Sequence, residues 1–434
     1  MLKKLLILLL GSSFLLTAAG CQSIPPAQED TASEKPKEEH PKVNWEVNTS
    51  TATIEMDGWE YSLVRDNAKK TVRIPKVQYV GNENAEKLNI VFPSSIDGMP
   101  VTDIGQSDKD RDESEEFYDS LFGEVVEEPH GKMNANETTR KITKITLPKK
   151  LETIEHGSLA GLPNLKEITL PDTLKQLGRL VFYCDNNLEK VVIPSNLTSF
   201  SPDTFEDCHK LSKIEISEND SKLYEQDGFI ITKEGKRLIY AVPTKENMDI
   251  PQGVKTLGES ALQYSRAKTI RLPSSVTHIE KQALSAPDIV SIDVDKYNST
   301  FAKDGHCLYR KKDNGLVVVE CANNRLEVSP KVYRIDGDAM SVGVHARVKR
   351  VIIGENVKEI SGYWMDCFNY PLEYQTNKYE FRGASPPKVI DAPSNYSIVP
   401  IFCTIYVPSS SINEYRKWIK TYEADMNTKI KSSD

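Results

Sequence analysis

Hydrophobic residues recur along this chain with a fixed period. Between Pro148 and Ser217 three segments of equal length follow one another: 171 − 148 = 23, 194 − 171 = 23 and 217 − 194 = 23. The first carries Leu151, Ile154, Leu159, Leu162, Leu165, Ile168 and Leu170. The same offsets carry Leu174, Leu177, Phe182, Leu188, Val191 and Ile193 in the second segment. The third has Leu197, Phe200, Phe205, Cys208, Leu211, Ile214 and Ile216. A unit of this size cannot bury its own apolar face, so units stack and share one continuous core.

The endings LKEITLP, LEKVVIP and LSKIEIS place apolar residues two apart, which predicts a short strand with one face in the core. Leu151 and Ile154, Leu174 and Leu177, and Leu197 and Phe200 lie three apart. They lead into Ser158-Leu159, Val181-Phe182 and Thr204-Phe205, which predicts a tight, partly helical turn. The expected fold class is a mainly-β α/β solenoid: stacked short parallel strands joined by turns and short helical segments. Each buried Leu, Ile or Phe contributes about 1.5–3 kcal/mol, so such a unit carries a substantial core. The repeated phrase, clearest in Phe205-Glu206-Asp207-Cys208-His209-Lys210-Leu211, resembles the BspA-like leucine-rich repeats of bacterial surface proteins. The resemblance extends over residues 89 to 415. It implies a leucine-rich-repeat solenoid with hairpin extensions and, in some members, adhesion to matrix proteins.

The flanking segments read as caps and insertions. Residues 44–87 contain strand-like runs around Asp57-Gly58, a hairpin signal, and are expected to cap the first repeat. The solenoid is expected over 88–378, opening with Leu88 to Pro93 and Gly98 to Gly105. An acidic insertion, 106–139, interrupts it. Asp108, Asp110, Asp112 and Asp119 have the spacing of a calcium loop. Glu113 and Glu115, however, stand where that loop needs glycine and an apolar residue, so a solvated loop is expected. Hairpins are expected in insertions 218–248, around Glu234-Gly235, and 296–326, around Asp313-Asn314-Gly315. The repeat frame resumes at Pro251 and Pro273, then at Val332/Ile335 and Val357/Ile360. Residues 379–434 read as a C-terminal cap with a helix from Ser409 to Asp425 carrying Ile412, Tyr415, Trp418 and Ile419 on one stripe.

Residues 1–20 have the form of a lipoprotein signal peptide. Lys3 and Lys4 precede an apolar run, Leu5 to Leu16, too short to anchor as a membrane span. Ala18-Ala19-Gly20-Cys21 resembles the bacterial lipoprotein cleavage box, with Ala18 where leucine is commonest. The resemblance implies cleavage after Gly20, lipidation of Cys21 and a membrane attachment through it. Residues 21–43, rich in Pro, Glu and Lys, are expected to be a disordered tether.

A net charge of −8 argues against nucleic acid and against adsorption to anionic lipid. Cys307 and Cys321 flank the second hairpin turn, and one disulfide between them is allowed. Cys208 and Cys367 fit a buried repeat position as small apolar fillers. None of the seven histidines has metal-ligand spacing, and there is no phosphate loop or nucleophile elbow. No metal, cofactor or catalytic residue is therefore expected. His156, His209 and His278 are expected on solenoid turns. The exposed side of the strands carries Glu167, Thr169, Lys190, Val192, Lys213, Glu215, Thr269, Arg271, Ser291 and Asp293, expected to align in two columns across successive repeats. The reading is a cell-surface lipoprotein that binds a protein ligand or adheres through this face. The alternatives are an envelope scaffold with partners on its own cell and, third, an enzyme acting on envelope glycans.

Overall fold

Each regular turn of the chain supplies two short strands. The first are Glu167–Thr169, Lys190–Ile193 and Lys213–Ile216, paired in parallel so that Glu167, Lys190 and Lys213 stand side by side. They form what we call the front ladder. The second are Thr153–Ile154 and Gln176–Leu177, parallel to each other and to Met99–Ile104, and they form a rear ladder. The predicted turns form at Ser158-Leu159 and Val181-Phe182, but the residues before them, Thr153–Ile154 and Gln176–Leu177, sit in rear strands that a spacing of three does not announce. Two residues are too few to display alternation. The third repeat does turn helically, through a 3-10 segment at Pro202–Phe205. The chain is thus a leucine-rich-repeat solenoid of about 12 turns, mainly strands.

This computed structural model describes residues 43–46, 50–106, 118–128, 132–134, 136–217, 222–286, 288–342, 348–366, 378–391, 403–422 and 428–433. The proposed leader, Cys21, the tether to residue 42, Asp108 to Asp112 and Cys367 lie outside them. No described helix is long and apolar enough to cross a membrane, which says nothing of β-barrels.

Side chains tie successive turns together. Asn164, Asn187 and Asn196 each donate from Nδ2 to a backbone oxygen 24 residues upstream. Phe182 stacks on Phe205 one repeat later, centroids 5.4 Å apart and planes at 3°. Corners need glycine where turns touch. A Cβ on Gly178 would stand 2.5 Å from the His156 nitrogen, and one on Gly258 would stand 2.6 Å from the Leu238 oxygen.

Both hairpins form, and both run through the core. Leu223–Gln226, Phe229–Thr232 and Arg237–Ala241 are antiparallel, and the last joins the rear ladder beside Thr256–Leu257. Ile230, Ile239, Tyr240 and Val242 pack into the core of the preceding repeats, whereas Phe229, Ile231, Leu238 and Ala241 pack into that of the following ones. The second insertion, Phe301–Asp304, Cys307–Arg310 and Gly315–Glu320, repeats the arrangement. Leu308, Val317 and Val318 face the middle core, and Cys307, Leu316 and Val319 face the last. Uninterrupted apolar runs such as Leu238 to Val242 and Leu316 to Val319 are what a strand buried on both faces requires. Each insertion is a partition between cores, and the front ladder breaks at each one, giving sections of three, three and five strands in parallel order, with a further parallel pair, Leu88–Val91 and Ile142–Thr146, ahead of the first.

At the N-terminal end, Thr51–Met56, Trp59–Asp66 and Thr71–Tyr79 form an antiparallel sheet whose third strand joins the rear ladder at Met99–Ile104. Asp57 and Gly58 have φ of 51° and 78°, the paired left-handed residues of a type I′ hairpin. The acidic insertion is not simply a solvated loop. Tyr118–Ser120, Gly123–Glu128 and Lys132–Asn134 pair antiparallel. The reason lies in Leu121 and Phe122, 1% and 7% exposed, which dock against the core, with Phe122 5.9 Å from Trp59. At the other end the helix Ile412–Tyr422 buries Tyr415, Trp418 and Ile419. Beyond it Lys429–Ser432 adds a strand to the front ladder that its short alternation does not announce.

Candidate binding face

The front strands present their alternate side chains outward. In the first section Glu167, Lys190 and Lys213 form one column, and Thr169, Val192 and Glu215 form the other. Ile168, Val191 and Ile214 between them are buried. In the second section Thr269 stands beside Ser291 and Arg271 beside Asp293. Asn247 and Asp249 begin those columns and were not singled out by pattern. All the sequence candidates therefore fall into columns, at the ~4.8 Å spacing of neighbouring strands. The columns do not run unbroken, because the first partition separates the two sections.

The charges on this face pair within it. Lys190 Nζ lies 2.8 Å and Lys213 Nζ 2.5 Å from Glu215. Hydrogen bonds from Lys190 and Lys213 hold the Glu215 carboxyl below its ordinary range. Lys303 reaches Asp293 at 3.3 Å and Glu320 at 2.8 Å. Glu320, on the second partition, accepts the Ile292 N–H at 2.7 Å, closing the edge of the second section with a carboxylate. A groove of about 930 Å3 lies at the first break, lined by Thr169, Val192, Lys213 and Glu215 from the ladder and by Tyr224 and Lys233 from the hairpin.

The third section was not foreseen as part of the face. Its outward columns place Arg325 beside Arg350 and Lys378, and Glu327 beside Ile352 and Glu380. Arg382 donates from Nε to Glu380 and from Nη1 to Glu327, both at 2.8 Å. Arg350 pairs with Glu380 and Arg325 with Glu327. Ile352 lies between the two carboxylates that Arg382 bridges, and it is fully buried. Burial pushes Glu380 up, but the hydrogen bonds from Arg382 and Arg350 outweigh it and hold the carboxyl below its usual range. The alternation in RLE and KYEFR was the available signal.

Cys307 and Cys321 do not form a disulfide; both are free thiols. Cys307 stands opposite Val319, so Cys321 lies two residues beyond its hairpin partner. The Cys307 thiol instead donates to the Glu327 carbonyl and accepts the Ser329 N–H. Burial pushes its pKa up to about 12. Cys208 is buried. His156 and His209 lie on turns, but His278 is in a rear strand, Thr256–Leu257's neighbour. Among the described residues no group of three or more His, Cys, Asp or Glu is placed to hold a metal.

Comparison with known proteins identifies the repeats. The BspA type leucine rich repeat region is matched in six copies, over residues 132–229 and 231–309. No curated protein matches the chain. Among solved structures, a leucine rich cell surface protein from Faecalibacterium prausnitzii is similar over 77% of this chain and 96% of its own, at 14% identity and a TM-score of 0.38. The pneumococcal vaccine antigen PcpA is similar over 89% and 100%, at 12% identity and a TM-score of 0.33. A leucine-rich repeat protein from Eubacterium ventriosum covers 56% and 66%, at 15% identity and a TM-score of 0.34. The repeat period, the stacked ladders and the six matched copies together identify the repeats within residues 132–309 as BspA-type leucine-rich repeats.

Proposed function

We propose that the chain is a lipid-anchored protein of the cell surface that binds or adheres to another protein along its front face. The observation that carries this reading is the groove at the first break, where Thr169, Val192, Lys213 and Glu215 meet an inserted hairpin. In-register outward columns make an extended surface of the kind solenoids use for recognition. Its cations and carboxylates alternate, which favours a polar protein partner over a polyanion. The anchoring part rests on the sequence alone: a charged start, a short apolar run, and Ala18-Ala19-Gly20 before Cys21, followed by a polar tether.

The test is retention of a surface or matrix protein by the full chain, compared with a variant carrying Lys190→Glu, Lys213→Glu and Arg271→Glu. The expected result is one protein held by the wild type and lost by the variant, with an unchanged melting curve. Equal retention by both would move the interface off this face. For the anchor, the native protein should carry a lipid-sized mass increment and partition into detergent, and Cys21→Ala should do neither.

A further inference from the structure

The rear ladder has a gap that the front-face reading leaves unused. Rear strands run as far as Gln176–Leu177 and resume at Arg237–Ala241. The third repeat supplies no rear strand: Ser199-Phe200, which stand where Gln176-Leu177 do one repeat earlier (199 − 176 = 23), belong to no strand, and the chain then turns at Pro202–Phe205. The space left is a cleft of about 850 Å3, within the roughly 300–1,000 Å3 usual for small-ligand sites. Leu177, Phe200 and Ile239 line it with apolar surface, all of it nearly buried.

The cleft is polar but carries no uncompensated cation. Lys175 pairs with Glu152 at 2.8 Å, Arg179 with Asp203 at 2.6 Å, and Arg237 with Glu280 at 2.6 Å. An anionic ligand would compete with carboxylates already seated, so the chemistry favours a neutral one. Gln176, Gln263 and Gln282 line the same space as Ser199 and Ser260, giving groups that both donate and accept. A polyhydroxylated ligand needs that dual capacity. Tyr264, half-buried, contributes an aromatic ring on which the C–H face of a sugar can stack.

We propose that the rear cleft between Leu177 and Arg237 is a binding site for a short neutral oligosaccharide. It is separate from the protein-binding face and does not depend on it. The test is saturation-transfer NMR and calorimetry of the full chain with triacetylchitotriose, cellotriose and maltotriose as probes. At least one should bind. Tyr264→Ala should weaken it about tenfold, the scale of a lost aromatic contact. Ser199→Trp, at an exposed position on the cleft wall, should abolish it by filling the space. Gln282→Ala, also exposed, should weaken it without threatening the fold, and Lys190→Glu on the front should leave it unchanged. Binding of none of the probes, or binding that survives Ser199→Trp, would overturn the proposal.

Discussion

Asp185 occupies a position that neighbouring repeats fill with Leu162 and Cys208, since 185 − 162 = 23 and 208 − 185 = 23. It is fully buried, with one oxygen accepting the Leu162 N–H at 2.7 Å and the other without a partner among the described residues. Burial raises its pKa well above 3.8. The sign follows from linkage: a folded pKa above the unfolded value means the native state holds the proton more tightly. Its contribution is fully present below about pH 3.8 and is lost as pH rises toward the folded pKa. Urea denaturation across pH should therefore show Asp185→Asn gaining on the wild type as pH rises from about 4. A difference constant with pH would mean the carboxylate is paired and charged in the native state. Gly178→Ala should lose about 1–3 kcal/mol, because its Cβ meets a neighbouring turn's backbone; an unmoved denaturant midpoint would refute that corner geometry. The two residues differ in legibility. Asp185 is visible in the repeat register, whereas the need for Gly178 depends on how closely the previous turn approaches, which no local pattern encodes.

At the scale of elements, the hairpins were legible as hairpins but not as partitions. Glu234-Gly235 and Asp313-Asn314-Gly315 mark the turns. What marks burial on both faces is the failure of alternation in Leu238 to Val242, an absence that is easy to pass over. Ile230 and Ile231 are adjacent yet face different cores. Ile230→Ala and Ile231→Ala should each cost about 2–5 kcal/mol. Hydrogen exchange should then quicken on the N-terminal side for the first and in the middle section for the second. Acceleration confined to the hairpin in both variants would contradict the partition. The Arg382 bridge is half-exposed at Arg382 and Glu327 but ends on the buried Glu380, which keeps Arg350, so Arg382→Ala should cost about 1–3 kcal/mol, with the loss shrinking only in part in high salt. A several-fold larger loss would mean that Ile352, not the charges, depends on that side chain.

At the scale of the whole described solenoid, equal repeat length dictates register, and register dictates which side chains share a face. That is why Glu167, Lys190 and Lys213 could be placed together from spacing alone. The breaks were not legible, since the length of an insertion does not say which ladder its strands will join. The third section of the face, and Asn247 and Asp249 at the edge of the second, follow only once the partitions are known. The account's central claim is that recognition runs along the front columns. The most direct measurement is photo-crosslinking on living cells, with a benzoyl-phenylalanine placed at Lys190 or Arg271 on the front, or at His278 on the rear ladder. The account predicts adducts with a second protein from both front positions and none from the rear. Adducts from His278 alone, or equal yields from all three, would contradict it.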